Sequence, residues 1–387
     1  MVKKRMEVYG EKGRRQVIEG DFLVQQTDNG YILHEKRPDL RKVYLEITAR
    51  CNLDCITCIR HSWQECPGDM DMGIFEKILA DLEELPDCRE VVLGGFGEPL
   101  MHPEIGEIVA RLKEKGYKVR ITTNGMLLQG ELLEQLIERR VDEVIVSVDS
   151  FKEKRFADIR RGELDRLLEN LVELKRVKDE RETIFPRLGL EFVLMQKNQE
   201  ELESLSRRAR ELGVLSILVT HLLPYREEMV DEILYGKGER EQQLALKLWT
   251  SPVPGSATMC TMNLPSPNWG AERSCDFVSS RACTVTWQGE VSSCYALMHS
   301  NRYFIFGREK QVEAHSFGNV AERPLREIWN SPRYLKFRNR VRYFDFPSCV
   351  DCELSDNCTY PEENQDCWGN DPSCADCLWA QNIVRCP

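Results

Sequence analysis

Three closely spaced cysteines stand in one short stretch of the sequence. Cys51, Cys55 and Cys58 occur in ITARCNLDCITCIRHSW, residues 47–63, with three and then two residues between them. This spacing lets three thiolates from a single loop converge on one metal centre. Three protein ligands leave one iron of a four-iron cluster open to another molecule. The loop therefore predicts an iron-sulfur centre at which a reaction takes place.

Two structural interpretations of the same cysteines have less support. A zinc site would need a fourth Cys or His at matched spacing, usually as two CxxC pairs, whereas this loop has one CxxC and an offset cysteine. Disulfides are typical of secreted chains, but the amino-terminal MVKKRMEVYG has early charges and no apolar core of a signal peptide. The open iron-sulfur site remains the favoured interpretation.

Composition and charge limit the class of protein. A chain of 387 residues predicts about two or three domains, and a hydrophobic content of 42% is enough for a sizeable core. The 53 basic and 64 acidic side chains give a formal net charge of -11, which argues against nucleic acid as the main partner. No apolar run approaches the roughly 18 residues of a membrane span, and we expect a cytoplasmic protein without a membrane partner.

The 16 cysteines are unevenly distributed. Five lie between Cys51 and Cys88, none follows until Cys260, and eleven lie between Cys260 and Cys386. Clustering of this kind in an intracellular protein indicates metal binding rather than disulfides. The sequence therefore predicts two metal-binding regions with a cysteine-free middle between them.

Alternating strand and helix patterns must position the first cysteine loop. Residues 1–41 predict a charged arm and a hairpin around Asp28-Asn29-Gly30. Helix-period runs then alternate with six strand-like runs, at 43–48, 89–95, 117–125, 141–149, 188–194 and 214–220. Repeated βα units imply an α/β fold with a parallel sheet, closed or partly closed by right-handed crossovers.

Polar or glycine-rich segments follow the first four strands, where the reactive groups of such a sheet gather. After the cysteine loop these are residues 94–99 (GGFGEP), 122–125 (TTNG) and 147–150 (SVDS). Each alone is an ordinary turn or helix cap. Together they offer glycines for close approach, a carboxylate for an ammonium group, and polar groups for a carboxylate or ribose. These four loops form one rim of the predicted barrel, and a small zwitterion joined to a nucleoside would fit this rim.

At these residues the sequence resembles a known family. CNLDCITC resembles the CxxxCxxC signature of the radical S-adenosylmethionine (SAM) superfamily, and GGFGEPL resembles its GGE motif after the second strand. The resemblance implies a partial (β/α)6 TIM-like barrel over residues 42–225. It also implies that Cys51, Cys55 and Cys58 hold a 4Fe-4S cluster whose open iron binds the amino and carboxylate groups of SAM. The implied reaction is reductive cleavage of SAM to a 5'-deoxyadenosyl radical, with the electron from a donor such as ferredoxin or flavodoxin.

The resemblance also implies which residues bind SAM. They are Phe96, Gly97 and Glu98 for the amino group, Ser147 and Asp149 for the ribose region, and Thr123 and Asn124 for the methionine or ribose end. Arg160, in an IR segment after the fourth strand, would reach the carboxylate of SAM. The alternative for Arg160 is a solvated charge at the start of a helix.

The rest of the chain has a different character. Residues 226–273 predict a helical and Pro-rich connector, in which Cys260 is expected to be a spare thiol. Residues 274–387 resemble the SPASM extension of radical SAM maturases, a cysteine-rich, loop-rich domain that carries auxiliary iron-sulfur clusters. Thirteen residues separate Cys275 from Gly289, and CVDCELSDNC fits the later part of the pattern. The pattern expects a further cysteine three residues beyond Cys358, whereas the next one here is Cys367.

Ten cysteines are candidate ligands of one or two auxiliary 4Fe-4S clusters. They are Cys275, Cys283, Cys294, Cys349, Cys352, Cys358, Cys367, Cys374, Cys377 and Cys386. Two fully ligated clusters use eight thiolates, and Cys283 is the least favoured of the ten. A zinc ribbon built from Cys349, Cys352, Cys374 and Cys377 is the alternative, because these form paired CxxC motifs.

Three further phrases suggest a subfamily. CIRHSW (58–63), THLLPY (220–225) and the ending CWGNDPSCADCLWAQNIVRCP (367–387) resemble the maturases of tungsten-containing aldehyde ferredoxin oxidoreductases. This resemblance implies modification of a tungsten oxidoreductase or its pterin cofactor. Two alternatives remain: an enzyme that modifies a ribosomal precursor peptide, and a non-catalytic iron-sulfur electron carrier or scaffold. The last would leave GGFGEP and the open cluster site without a purpose.

Overall fold

One nine-stranded sheet organises the molecule. The computed structural model describes residues 4–9, 15–20, 22–27, 30–36, 39–236, 260–267, 273–350 and 352–386. The strands are β1 (Lys4–Tyr9), β2 (Arg15–Gly20), β3 (Phe22–Thr27), β4 (Gly30–Glu35), β5 (Lys42–Leu45), β6 (Glu90–Leu93), β7 (Lys118–Thr123), β8 (Glu143–Ser147), β9 (Arg187–Leu194), β10 (Ser216–His221), β11 (Thr261–Asn263), β12 (Ala282–Val285), β13 (Val291–Ser292), β14 (Asn301–Ile305) and β15 (Arg308–Val312). The helices are α1 (Met72–Glu83), α2 (Ile105–Glu114), α3 (Gly130–Glu138), α4 (Glu153–Arg160), α5 (Leu164–Glu180), α6 (Leu202–Glu211), α7 (Asp276–Ser279), α8 (Leu325–Trp329) and α9 (Pro332–Arg342).

The six predicted βα units are confirmed. Strands β5 to β10 lie side by side in chain order and pair in parallel, with helices in the connections between them. The full order in the sheet is β11-β10-β9-β8-β7-β6-β5-β12-β13. The sheet is open, with β11 and β13 as its edges in the part of the chain that the structure describes. The fold is therefore a partial barrel.

Helix α1 shows why the helices form where they do. The Asp71 side chain accepts a hydrogen bond of 2.8 Å from the backbone N–H of Gly73 and so caps the first turn. The apolar residues at helical spacing, Phe75, Ile78, Leu79 and Leu82, are buried on one face. A helix cap contributes about 1 kcal/mol to stability, whereas burial of one such side chain contributes roughly 1.5–3 kcal/mol. Packing against the sheet therefore decides the position of the helix.

Helix α4 was not predicted, and it matters for the site. Charged residues dominate its sequence, EKRFADIR, and only Phe156 and Ile159 are buried. Such a pattern gives little helical periodicity to recognise. The helix ends where Arg161 adopts a left-handed conformation (φ 57°), which leaves Arg160 in the last turn.

The sheet continues past the predicted domain boundaries at both edges. Strand β11, from the predicted connector, pairs in parallel with β10. Strand β12, from the predicted cysteine-rich domain, pairs in parallel with β5, with Ala282 opposite Lys42. The division into 1–41, 42–225, 226–273 and 274–387 stays a prediction, and residues 237–259 and 268–272 of the connector lie outside the described residues.

Strands β3 and β4 form the predicted amino-terminal hairpin, with Thr27 opposite Gly30. Asp28 and Asn29 of its turn lie outside the described residues. Strands β1 and β2 form a second antiparallel pair, which is separate from the nine-stranded sheet. Among the described residues, every helix is too short or too polar to pass through a membrane.

Trp329 anchors the carboxyl-terminal region to the barrel. Its side chain is 1% exposed, its indole N–H donates to Asp39 Oδ1 at 2.9 Å, and the Arg338 guanidinium lies 3.4 Å from its ring centroid. Nearby, the backbone N–H of Leu325 donates to Asp81 Oδ2 at 2.7 Å. These contacts add to the β5–β12 pairing, so the two regions share one core.

Candidate active site

The three-cysteine loop lies directly after β5 and turns back on itself. The backbone N–H of Cys58 donates to the carbonyl of Cys55 at 3.1 Å, and a short 3-10 helix, Ile59–Ser62, follows. Cys55 is buried, whereas Cys51 and Cys58 are partly exposed to a cavity that all three line. The loop thus brings the three sulfurs to one surface.

Nitrogen donors point at each of the three sulfurs. Arg60 Nε donates to Cys58 Sγ at 3.2 Å, and the backbone N–H of Leu53 donates to Cys51 Sγ at 3.4 Å. Arg160 Nη1 lies 3.6 Å from Cys55 Sγ. Desolvation raises the pKa of Cys51 and Cys55, and the nearby donors oppose this rise. Donors of this kind stabilise thiolates and tune the potential of a bound cluster.

The glycine-rich loop after β6 packs closely on the cysteine loop. A Cβ at Gly97 would lie 2.1 Å from the carbonyl oxygen of Thr48, so only glycine fits there. The next residue, Glu98, donates its backbone N–H to the carbonyl of Arg50 at 2.7 Å. The first two loops of the rim are therefore locked together through their backbones.

Glu98 links the second loop to the third. Its carboxylate is 1% exposed and accepts hydrogen bonds from Thr123 Oγ1 at 2.7 Å, Asn124 N at 2.7 Å and Leu100 N at 3.0 Å. Desolvation raises the pKa of Glu98, and these hydrogen bonds oppose the rise. Oε2 accepts a single one of the three bonds, so this oxygen keeps capacity for a further donor.

The third loop reaches back to the cysteines. Asn124 Nδ2 donates to Asn52 Oδ1 at 2.7 Å and lies 3.7 Å from Cys51 Sγ. Its Oδ1 accepts from the backbone N–H of Met126 at 2.9 Å, which fixes the amide orientation. The predicted residues Thr123 and Asn124 thus line the same cavity as the cysteines.

The fourth loop contributes Ser147 and Arg160 to the cavity, whereas Asp149 lies behind it. Asp149 is fully buried, accepts from the backbone N–H of Val193 at 3.0 Å, and has Oδ2 3.1 Å from Arg160 Nε. Burial disfavours the charge of Arg160, but Asp149 and Cys55 outweigh it and raise the pKa of Arg160. Asp149 therefore orients Arg160 and does not itself face the cavity that was predicted to hold a ribose.

The sequence reasoning missed several polar residues of the cavity, among them Glu191 and His221. Glu191, on β9, receives a hydrogen bond of 3.4 Å from Ser147 Oγ, and desolvation raises its pKa to about 7. His221 ends β10, is 8% exposed, and desolvation lowers its pKa to about 4. A charged residue inside the apolar run LGLEFVL is a signal that could have identified Glu191.

The carboxyl-terminal part of the chain completes the wall of this cavity. The volume is about 270 Å³, and Trp379, Val384, Arg385 and Cys386 line it together with the predicted rim residues. The backbone N–H of Arg385 donates to Thr220 Oγ1 at 2.8 Å, which ties this segment to the end of β10. Nothing in the local sequence shows where the segment packs, and so its position could not be predicted.

A buried histidine connects three parts of the site. His299 Nε2 donates to Glu46 Oε2 at 2.7 Å and His299 Nδ1 donates to Glu65 Oε1 at 2.6 Å. Glu46 Oε1 in turn accepts from the backbone N–H of Phe96 at 3.1 Å, and Trp63 stacks on the imidazole with 4.1 Å between centroids. Burial would lower the pKa of His299, but the two carboxylates outweigh it and raise the pKa.

Four of the predicted auxiliary ligands gather around a second, smaller cavity. Cys275, Cys294, Cys374 and Cys377 all line it, on walls that are otherwise mainly apolar. Desolvation raises the pKa of Cys377 to about 12, so a thiolate here needs a positive centre such as a metal. The sequence pattern had not grouped these four cysteines.

The other candidate ligands fall elsewhere. Burial raises the pKa of Cys349, and the nearby Asp376 and Cys367 add to the rise, while Cys352 is exposed and Cys358 half-buried. Cys283 lies within β12, fully buried in the sheet, with Cys88 as its neighbouring thiol. The structure thus separates Cys283 from the other candidates.

Zinc sites are not preformed in the described part of the chain. No three His, Cys, Asp or Glu side chains there are close enough to hold one metal ion. Of the four cysteines of the alternative zinc ribbon, Cys374 and Cys377 line the second cavity, whereas Cys349 and Cys352 do not. Ligands of a multi-iron cluster bind different irons and need not meet at one ion.

Two family models match the chain. A model of the radical SAM superfamily matches residues 45–234. A model of the SPASM iron-sulfur cluster-binding domain matches residues 275–353. The first match begins at the end of β5 and spans strands β6 to β10 and all four loops of the rim.

Similar proteins cover most of the chain. The tungsten-containing aldehyde ferredoxin oxidoreductase cofactor-modifying protein of Pyrococcus furiosus is 39% identical over 353 residues, which is 90% of this chain and 97% of that protein. The AdoMet-dependent heme synthase of Methanosarcina barkeri is 26% identical over 77% of this chain and 85% of that protein.

Solved structures share the fold. Streptococcus suis SuiB bound to S-adenosylmethionine matches with a TM-score of 0.59 at 16% identity, over 85% of this chain and 73% of that chain. SuiB bound to precursor peptide SuiA matches with a TM-score of 0.57 at 16% identity, over 84% of this chain and 72% of that chain. At this identity the likeness concerns the fold alone.

Proposed function

The chain belongs to the radical SAM superfamily and carries a SPASM iron-sulfur domain, and on this premise we propose that it is a maturase of a tungsten-containing aldehyde ferredoxin oxidoreductase. The object of the modification would be that oxidoreductase or its pterin cofactor. The observation that carries the proposal is the near full-length identity of 39% with a protein named as the cofactor-modifying protein of such an oxidoreductase.

Membership of this family makes the chain an enzyme and argues against the non-catalytic carrier. Its cofactors are 4Fe-4S clusters and SAM. When bound, they supply one-electron cleavage of a carbon-sulfur bond and a 5'-deoxyadenosyl radical. The protein supplies binding, orientation and exclusion of water.

The residues of the rim fit these cofactors. Arg160 Nη2 is buried without a hydrogen-bond partner among the described residues, and Arg160 lines the cavity. A carboxylate would satisfy this donor, because charge-assisted bonds to Arg are strong. We infer that Arg160 binds the carboxylate of SAM and that Cys51, Cys55 and Cys58 hold the cluster.

The remaining rim residues would orient SAM. Glu98 would accept from its ammonium group through Oε2, with Phe96 and Gly97 beside it. Ser147 would bind the ribose, and Thr123 and Asn124 would hold the methionine or ribose end. Asp149 would act indirectly, since it fixes the orientation of Arg160.

The auxiliary clusters would occupy two sites. We infer one 4Fe-4S cluster at Cys275, Cys294, Cys374 and Cys377, because these four line one cavity. A second would use the remaining group, Cys349, Cys352, Cys358 and Cys367. A low-potential donor such as ferredoxin or flavodoxin would supply electrons. The many free cysteines suit a reducing compartment, and we infer a cytoplasmic location.

Anaerobic reconstitution with iron and sulfide tests the proposal. Wild type and the triple variant Cys51→Ala/Cys55→Ala/Cys58→Ala are compared for iron content and for 5'-deoxyadenosine formed from SAM. We expect the variant to lose about four irons per chain, because one four-iron cluster is lost, and to form no 5'-deoxyadenosine. Adding the tungsten oxidoreductase should raise SAM cleavage by the wild type. Wild type that neither binds nor cleaves SAM would refute the proposal.

A peptide-modifying enzyme is the second candidate. A structural neighbour has been solved with precursor peptide SuiA, but its identity to this chain is 16%. The identity of 39% with the cofactor-modifying protein extends over 90% of the chain and favours the maturase. SAM cleavage that rises with a precursor peptide and not with the oxidoreductase would reverse this order.

A further inference from the structure

Cys386 lies in the wall of the same cavity as the cluster-binding loop. Its sulfur accepts a hydrogen bond of 3.0 Å from the Trp379 indole N–H, and both residues line the cavity with Cys51, Cys55 and Cys58. The segment around Cys386 is held in place: the backbone N–H of His221 donates to the carbonyl of Ile383 at 3.3 Å, and Arg385 Nη1 donates to the carbonyl of Leu264 at 3.1 Å. A thiol is therefore fixed beside the site of radical chemistry.

A second feature of this wall points to a ligand. His221 also lines the cavity and is 8% exposed, and its Nδ1 has no hydrogen-bond partner among the described residues. An unpaired buried nitrogen costs free energy unless a bound molecule satisfies it. The end of the cavity that holds His221 and Cys386 is thus suited to a polar part of a substrate.

Cys386 is not needed as a cluster ligand. Two four-iron clusters use eight thiolates, and the assignment proposed above takes them from the four cysteines that line the second cavity and from Cys349, Cys352, Cys358 and Cys367. Burial raises the pKa of Cys386, and the nearby thiols of Cys294 and Cys377 add to the rise, but Cys386 lines the reaction cavity and not the second one. Of the ten candidates, Cys283 and Cys386 are left over. Cys283 is enclosed in the sheet, whereas Cys386 faces the reaction cavity.

We propose that Cys386 is the hydrogen-atom donor of the reaction, an inference that depends on the radical function proposed above. Its S–H bond breaks and a C–H bond forms on a carbon radical held in the cavity, which leaves a thiyl radical on the cysteine. One electron from the low-potential iron-sulfur or flavin donor, with one proton from solvent, restores the thiol. Trp379 keeps the sulfur in position through its indole N–H, and His221 binds the polar part of the substrate.

Iron content and thiol reactivity test whether Cys386 is a free thiol. Reconstituted wild type, Cys386→Ala, Cys386→Ser and the control Cys260→Ala are compared, since Cys260 is a partly buried thiol outside the cavity. We expect equal iron per chain in all four. In the wild type, we expect alkylation of Cys386 by iodoacetamide to slow at least fivefold when SAM is present. Loss of about four irons in Cys386→Ala, or no effect of SAM on alkylation, would overturn the proposal.

Solvent deuterium tests the hydrogen transfer itself. The reduced proteins cleave SAM in D₂O without a second substrate, and the 5'-deoxyadenosine is analysed by mass spectrometry for one solvent deuterium. We expect the deuterated fraction to fall at least tenfold in both Cys386 variants and to be unchanged in Cys260→Ala. Serine retains an acceptor for Trp379, but its O–H bond is too strong to donate hydrogen, so Cys386→Ser separates packing from chemistry.

The outcomes distinguish the two proposals. If wild type forms no 5'-deoxyadenosine, the proposed function fails, and with it the hydrogen transfer. If wild type cleaves SAM and the deuterated fraction is the same in the Cys386 variants, only the role of Cys386 is overturned.

Discussion

Arg160 is the side chain whose loss should affect SAM binding most directly. Replacing it with Met removes the cation near Cys55 and leaves Asp149 buried without its partner. Hydrogen bonds to charged groups contribute roughly 1.5–3 kcal/mol, so we expect the Kd for SAM to rise about 10-fold to 100-fold. Equilibrium binding to the reconstituted protein measures this. The control is Arg166→Met, an exposed arginine on α5, and an unchanged Kd in Arg160→Met would contradict the proposed contact.

His299 should make stability depend on pH. The folded pKa of His299 lies above its ordinary value of 6.5, so folding stabilises the charged form. This contribution is fully present below pH 6.5 and is lost as the pH rises through the folded pKa. We expect the Tm of the wild type to fall as the pH rises through the folded pKa of His299. The Tm of His299→Gln should be lower than that of the wild type at pH values below 6.5 and should vary less with pH. Glu65→Gln removes one of the two carboxylates and should show part of the same effect. Parallel curves of Tm against pH for wild type and His299→Gln would contradict this prediction.

One rule about parallel sheets predicted that the loops of the site would meet, whereas the roles of their side chains in SAM binding came from the family resemblance. Residues after the carboxyl ends of strands were expected to meet, and the structure brings Cys51, Glu98, Asn124 and Ser147 to one cavity. His299 could not be found this way, because it follows no strand of the barrel. Its contacts with Glu46 and Glu65 join residues more than 230 positions apart, which no local pattern records.

The glycine-rich loop after β6 should tolerate no side chain at Gly97. In Gly97→Ala the new Cβ would meet the carbonyl oxygen of Thr48 at 2.1 Å, and backbone cannot yield as a side chain can. We expect separation of the first two loops of the rim, a Kd for SAM raised at least tenfold, and a lower Tm. Binding and thermal unfolding measure these effects.

Gly106→Ala is the control for this substitution. Its Cβ would meet only the end of the flexible Gln135 side chain, and alanine favours helix α2 over glycine by roughly 0.5–1 kcal/mol. We expect a Tm equal to or above that of the wild type. If Gly97→Ala behaved in the same way, the close approach of the two loops would be refuted.

Strands and helices of the barrel were predictable because each carries its own apolar pattern. Strand β12 was not, since ACTV is four residues long and pairs with β5, from which it is separated by most of the chain. Helix α4 was missed because charges conceal its two buried residues. Local sequence patterns therefore did not predict a strand such as β12, whose position depends on a partner strand that is distant in sequence.

The carboxyl-terminal region should be required for the barrel to fold. Removing residues 274–387 would leave β5 without its β12 neighbour and would expose the contacts of Asp39 and Asp81. Unpaired edge strands promote aggregation. We expect the truncated protein to be recovered mainly in aggregates, as measured by size-exclusion chromatography.

Deletion of residues 1–35 is the matched comparison. Strands β1 to β4 pair only with each other in the described part of the chain and lie outside the nine-stranded sheet. We expect this variant to remain monodisperse and to take up the same amount of iron as the wild type. A monodisperse truncation at residue 273 would show that the shared sheet is not essential.

The cavity has walls from distant parts of the chain, because Cys51 and Cys386 both line it although they are 335 positions apart. Contacts between such distant positions are slow to form because the intervening chain must first be ordered. The amino-terminal loop should therefore be accessible to iron and sulfide before the segment around Cys386 encloses it. Maturation would then have a built-in sequence of events, in which metal loading comes first and sealing of the reaction chamber follows.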